Sequence, residues 1–196
     1  MTQSIAIRAA EPGARMPAPD PELHLLQDFV NTIDIEGAED ELATPDATSA
    51  WLAARGLTSG RADVSRADHG RLLTIREGLR ALGAANDGDP LEDDERAAFN
   101  AAVASVSMVG AIDASGAWRL ASPASAVDDA LARLLGTLGR AIADGSWARM
   151  KACHSHSCRW LFWDASRNRS GTWCTMAICG SRQKSRSYRA RQRTPA

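Results

Sequence analysis

The sequence has no apolar run approaching the roughly 18 to 20 residues that would span a bilayer. Its start, Met1 to Ile7, lacks the charged end and apolar stretch of a secretion signal. Both absences point to a cytoplasmic protein that does not enter a membrane. Tyrosine occurs once and phenylalanine three times, so the six tryptophans carry most of the aromatic surface. No glycine-rich phosphate loop is present, because Gly136 and Gly139 punctuate a helix and match no nucleotide fingerprint. His24 and His69 stand alone, with no Cys or Asp set beside them as a triad or metal group. The paired acids Asp93-Asp94 and Asp128-Asp129 fall in first turns of helices, where they complement the dipole. These absences argue against an enzyme.

The most telling shortage is local. Residues 149–196 contain one acid, Asp164, against 11 Lys and Arg, a net charge of +10. Residues 1–148 contain 23 acids against 12 bases, a net −11, so the overall −1 conceals two oppositely charged parts. Such a split implies two units facing different partners, and the basic one has the electrostatics for phosphates. All four cysteines lie in the basic part.

The 196 residues suit one medium domain with a small appended module, and a hydrophobic content of 44% can build a core in the larger part. Residues 1–19, rich in Ala, Pro and Gly, read as a flexible leader. Asp20-Pro21 opens a helix over 21–34 with Leu25, Leu26, Phe29, Val30 and Ile33 at helical spacing. The acidic stretch Asp34 to Glu41 reads as a loop. Thr44-Pro45-Asp46 starts a second helix that Gly56 closes, and Ser65 with Asp68 forms a capping box for a third with Leu72, Ile75, Leu79 and Leu82 in line. Asn86 to Pro90 is a break, and Glu92 to Ala104 reads as helix. Val106–Ile112 and Trp118–Ala121 suggest a β-hairpin, although periodicity alone leaves helix or strand open near Val103 to Val109. Pro123 to Asp144 is the clearest helix, with Val127, Leu131, Leu134, Leu138 and Ile142 on one stripe and Gly145 ending it. Trp51, Trp118 and Trp147 read as core packing rather than an aromatic pocket. Asn31 and Thr32 sit beside the apolar stripe of the first helix. They either end it with hydrogen bonds or contact a small ligand in a sensor pocket.

Cys153-x4-Cys158 and Cys174-x4-Cys179, fifteen residues apart, can offer four thiolates to one tetrahedral zinc ion. A module of this size has little apolar mass, and a metal serves as its staple where a reducing cytoplasm disfavours disulfides. His154 and His156 lie between the first two cysteines and could replace a thiolate. The sequence predicts a strand at Trp160–Trp163, a turn at Ser166–Gly171, a return strand from Thr172-Trp173, and a helix that bears the second cysteine pair and runs to about Arg193. That order, knuckle, hairpin, then helix, describes a treble clef. On the helix, Arg182, Arg186, Arg189 and Arg193 share one face, with Lys184 on the far side. Crowded like charges cost stability unless a polyanion screens them. A solvated, frayed basic tail is the bland alternative.

Cys-x4-Cys-Arg-Trp-Leu-Phe-Trp-Asp-x-Ser-Arg-Asn-Arg from Cys153, followed by Trp-Cys-Thr-Met-x-x-Cys-Gly-x-Arg-x-Lys, resembles the CGNR-type zinc-finger family. Asp28-Phe29-Val30-Asn31-Thr32 resembles the opening of the ABATE domain that precedes this finger in its family. The resemblance implies an α+β protein: a mostly helical ABATE-like, ligand-sensing domain over 20–146 with a small β element, then a treble-clef finger over 147–196. It implies zinc on Cys153, Cys158, Cys174 and Cys179 and a role as a stress-responsive transcription regulator. DNA is the expected partner, through Arg167, Arg169, Arg182, Lys184, Arg186, Arg189 and Arg193. A small molecule would bind near Asn31 and Thr32. A zinc-stabilised protein-interaction or RNA-binding module is the alternative, with Trp160 or Trp163 stacking on bases in the RNA case. Two departures matter. Ser181 stands where the family name has Asn, and Gly171-Thr172 replaces the usual pair of arginines, which would weaken DNA affinity and spare the metal site.

Overall fold

The computed structural model describes residues 19–193, without the side chains of Ser187, Tyr188, Ala190, Arg191 and Arg193. All of the expected leader except Pro19, and the expected DNA contact of Arg193, therefore lie outside the described residues. Helix α1 (Pro21–Val30) starts on Asp20, whose carboxylate accepts the N–H groups of Glu22 and Leu23. It stops four residues earlier than its periodicity suggests. The Thr32 hydroxyl turns back to donate to the Phe29 carbonyl at 2.9 Å, and the chain then extends. Ile33–Asp34 (β1) pairs antiparallel with Glu39–Asp40 (β2), so the acidic stretch is a short hairpin and not an open loop. The Asp34 carboxylate accepts from the N–H groups of Glu36 and Gly37, each at 3.0 Å, and closes its tip.

Helices α2 (Pro45–Ala54) and α3 (Arg66–Ala85) begin at Thr44 and at the Ser65–Asp68 capping box, as their sequences indicate. Helix α4 (Asp93–Ala104) ends before the hairpin of β3 (Val109–Ile112) and β4 (Trp118–Ala121), which settles the ambiguous stretch as helix, link and strand. Helix α5 (Ala126–Ala143) is capped by Ser125. Val127, Leu131, Leu134 and Leu138 are buried with Leu23, Leu26, Phe29, Leu72, Ile75 and Leu79 in one core. Ile142 departs from its stripe at 56% exposure, being on the last turn of α5 among exposed neighbours. Trp51 and Trp147 are buried, but Trp118 is 65% exposed, its ring lying across Gly110 on the neighbouring strand.

A 3-10 turn (Ser146–Arg149) leads into β5 (Met150–Ala152), which pairs antiparallel with β6 (Leu161–Trp163). The hairpin of the C-terminal quarter is thus made around the first cysteine pair. The expected return strand at Thr172–Trp173 does not form. Instead the Asp164 carboxylate collects the N–H groups of Ser166 and Gly171 at 2.9 and 2.8 Å, closing the turn through a side chain. The Thr172 carbonyl accepts from the N–H of His154 at 3.1 Å, beside the knuckle. Helix α6 (Ser181–Arg193) begins after both cysteines of the second pair rather than beneath them. Before it comes a wide turn, Met176–Gly180, hydrogen-bonded five residues apart.

Met150 and Leu161 belong to the same apolar core as α1, α3 and α5. Gly83 makes that docking possible, since an added Cβ there would stand 2.2 Å from Leu161 Cδ1.

Candidate metal centre and nucleic-acid interface

Polar groups buried or half-buried at the joint orient the cysteine-bearing segment. Asn31, just past α1, donates from its side-chain amide to the Leu161 carbonyl at 2.8 Å and accepts from the Leu161 N–H at 2.7 Å, acting as a partner for one strand residue. Arg80 of α3 is buried and donates to the carbonyls of Val30 and Arg159 at 2.6 and 2.8 Å. Asn86 donates to the carbonyls of Trp147 and Met150. Lys151, 1% exposed, donates to Asp87 at 2.7 Å and to the Arg169 and Gly171 carbonyls, and its ammonium lies 3.1 Å from Asp164. Burial alone would raise the Asp164 carboxyl, yet hydrogen bonds from Ser166, Gly171 and Lys151 bring it down to about 2. His154 Nε2 lies 2.6 Å from the other Asp87 oxygen, at an angle outside that of a hydrogen bond. An unpaired charge in such a place costs several kcal/mol, about 3 to 5, so this network fixes how the segment sits.

The knuckle follows from it. The Cys153 N–H donates to the Trp160 carbonyl at 2.8 Å, and Cys158 and Arg159 donate back to the Ser155 carbonyl. Arg159 adopts φ +56°, the left-handed conformation that ends this tight loop. At the other pair, residues five apart on an α-helix would point about 140° away from each other; here Cys174 lies before the wide turn and Cys179 within it, and their sulfurs lie 3.7 Å apart. Cys158 and Cys174 approach to 3.6 Å, and all four Sγ atoms lie within 4.8 Å of one another.

Four sulfurs around a tetrahedral zinc ion, each about 2.3 Å from it, stand about 3.8 Å apart, which these spacings meet. The acid–base behaviour fits as well. Burial, and then the charge of Cys153, raises the Cys174 thiol well above its usual range, and burial together with Cys153 and Cys158, opposed by Cys174, pushes Cys179 up to about 11. Burial also opposes ionisation of Cys153, but the N–H groups of Cys174 and Ser155 outweigh it and lower that thiol. Thiols packed this closely ionise together only around a cation. His154 sits edge-on to Trp173 with ring centres 5.9 Å apart, and the cluster of four ligands contains neither His154 nor His156.

Residues 23–145 match the ABATE model, described as "Putative stress-induced transcription regulator". The chain belongs to the ABATE family. Residues 149–192 match the CGNR zinc finger, and Cys153, Cys158, Cys174 and Cys179 are the four thiols within that match that can hold its zinc. No curated protein matches the chain. Order along the chain is thus ABATE domain first and CGNR finger second, and no described helix is long and apolar enough to cross a membrane.

The basic residues divide into two groups. Arg167 and Arg169 are exposed on the turn after β6, Arg169 at φ +52°. Arg182, Lys184, Arg186 and Arg189 are exposed on α6. Arg182, Arg186 and Arg189 line a cleft of about 550 Å³ with Ser181, Ile178 and Glu36. Arg182 pairs across this cleft with Glu36 of the β1–β2 tip, which raises the guanidinium further. Ser181, at the departure from the CGNR pattern, donates its hydroxyl to the Met176 carbonyl at 3.0 Å and steadies the start of α6.

Asn31 and Thr32 line a cavity of about 440 Å³ with Asp40 and Trp160, but their side chains are engaged inside the protein. Thr32 accepts from Arg76 at 3.1 Å, and Arg76 forms a two-point pair with Asp40 at 2.7 and 2.9 Å. The joint itself was missed from sequence. Arg76 and Arg80, one turn apart beside the stripe Leu72–Ile75–Leu79, were its visible sign, because a cation on a buried helix face needs a partner.

Proposed function

We propose that this ABATE-family chain regulates transcription by binding DNA through its CGNR finger, with α6 making mainly phosphate contacts. The observation that carries this is the exposed row Arg182, Arg186 and Arg189 on a helix whose first turn abuts the sulfur cluster through Cys179. Arg167 and Arg169 on the turn after β6 are further exposed arginines, and one or two arginines in the major groove would read bases. A stress-responsive role follows from the family description. We take the chain to act by binding; His69 Nε2 lies 2.7 Å from the Leu42 carbonyl, a contact that holds it to the backbone. We read the treble clef as the finger's plan, with the β5–β6 knuckle and the segment from Cys174 to Cys179 before α6 as its two ligand-bearing parts.

The test is titration of labelled duplex DNA at several salt concentrations. About four phosphate contacts give a slope of log affinity on log salt near −3.6. Absence of binding at low salt would overturn the reading. Sensing is its second part: a small molecule in the cavity of about 440 Å³ would touch both Asp40 and Trp160, one on each side of the joint. One observation favours the alternative of a protein contact, the Arg182–Glu36 pair, in which the finger's helix already grips an acidic surface.

A further inference from the structure

A second recess opens on the other side of the wide turn. It encloses about 560 Å³, within the range of roughly 300 to 1,000 Å³ usual for small-molecule sites, and Trp163, Trp173, Met176, Arg167, Asp164 and Gly171 line it. From this cavity we infer that the finger takes one unpaired nucleotide base, next to a duplex lying on α6. The inference rests on the DNA-binding reading and adds to it the form of nucleic acid preferred.

Three observations carry it. The lining is aromatic and soft where a base would lie: two half-buried indoles and Met176, which is 56% exposed. Planar rings stack on such surfaces whatever their sequence. Charge is suited too, since Arg167 stands exposed at the rim for the nucleotide's phosphate. The one acid in the lining, Asp164, is already held by Lys151 at 3.1 Å and by two backbone N–H groups, and Gly171 brings no side chain into the mouth. Finally, the recess and the arginine cleft flank the same turn. Met176 lines the one, Ala177 and Ile178 line the other, and these are successive residues of a single turn. A strand held by Arg182, Arg186 and Arg189 therefore lies one turn of backbone away from the cavity.

The test compares three labelled DNA duplexes of the same sequence with the zinc-loaded full chain: blunt, with a short single-stranded overhang, and with an overhang of equal length whose sugars carry no bases. The overhang with bases should bind about tenfold tighter than the blunt duplex, within the range of stacking on one aromatic platform. The baseless overhang should lose that gain, since it adds phosphate charge without a ring. Trp173→Ala should abolish the preference while leaving the blunt-duplex affinity unchanged. Trp173 adjoins the metal site, so Met176→Ser, at an exposed position, is the second variant, and zinc content per chain reports on the fold of both. Equal binding of blunt and overhanging duplexes, an equal gain from the baseless overhang, or a preference that survives both substitutions would overturn the inference and leave DNA binding standing. If no duplex binds at low salt, the DNA-binding reading fails first, and the base site with it.

Discussion

The ABATE domain and the CGNR finger are held together by different physics in one chain. The ABATE domain buries leucines, valines and Ile75 from α1, α3 and α5 in a continuous apolar core, and burial of each large side chain stabilises by about 1.5 to 3 kcal/mol. The finger has little of this. Its far half relies on four converging sulfurs, and its near half, β5 and β6, is inserted into the ABATE core through Met150 and Leu161. The finger is therefore half a metal module and half an edge of its neighbour. Removing the metal is the strongest way to break that comparison. Chelation should release one zinc per chain and lower duplex affinity by at least about a hundredfold, since structural zinc supplies roughly 10 to 16 kcal/mol in finger peptides. The far-ultraviolet signal of the ABATE helices should largely survive. Metal analysis, circular dichroism and DNA titration on one sample decide it, and unchanged affinity after chelation would show that the sulfur cluster does not aim α6.

The near half breaks differently. Lys151→Ala leaves Asp87 and Asp164 buried without their cation, and should cost about 3 to 5 kcal/mol in urea unfolding. Loss should extend to both halves, because Asp87 belongs to the ABATE side and Asp164 to the finger. A loss under about 1 kcal/mol would mean that the two units meet only through apolar contact. Methionine at this position, matched in length but uncharged, separates charge from volume.

What the sequence made legible follows the same division. The helices of the ABATE domain were readable from their stripes and caps, because each reports only on its own residues, as at Ser65 with Asp68. The metal centre was readable from spacing, because the two cysteine pairs carry their geometry locally. The joint was not, since its partners are far apart in the chain: Asn31 meets Leu161 across 130 residues, and Arg80 meets Arg159 across 79. The same distance effect misplaced the finger's strands. Trp160–Trp163 was correctly extended but its partner lies upstream at Met150–Ala152, where a reading forward along the chain had put it at Thr172–Trp173. The end of α1 and the burial of Ile142 near the end of α5 were overestimated, because an apolar residue at the right period, Ile33 or Ile142, marks a buried face only while the helix and its neighbour both continue.

Asn31 sharpens the comparison at a single residue. Its amide pairs with both backbone groups of Leu161, so Asn31→Ala strands a buried donor and acceptor and should destabilise by about 1 to 3 kcal/mol. Asn31→Asp keeps the acceptor for the Leu161 N–H and sets a carboxylate against the Leu161 carbonyl. It should therefore fare no better. Differential scanning measurements on both variants test this; unchanged midpoints would return Asn31 to the role of a ligand contact.

The smallest expected effect lies where the two units touch in solvent. Arg182 and Glu36 are each about half exposed, at 47% and 50%, and exposed ion pairs contribute little to stability. Glu36→Gln should accordingly leave the unfolding midpoint unchanged within error. Its consequence falls on binding instead. The pair holds one guanidinium of the α6 row against an acidic tip, and a DNA phosphate must displace that carboxylate to use Arg182. Neutralising Glu36 should therefore raise duplex affinity about two- to fivefold at low salt, with the gain shrinking as salt screens both contacts. Arg182→Gln should remove the gain when combined with Glu36→Gln, because the two changes act on one contact. An affinity gain that persists in the double variant would place the effect of Glu36 in the general field of the ABATE surface rather than in this pair.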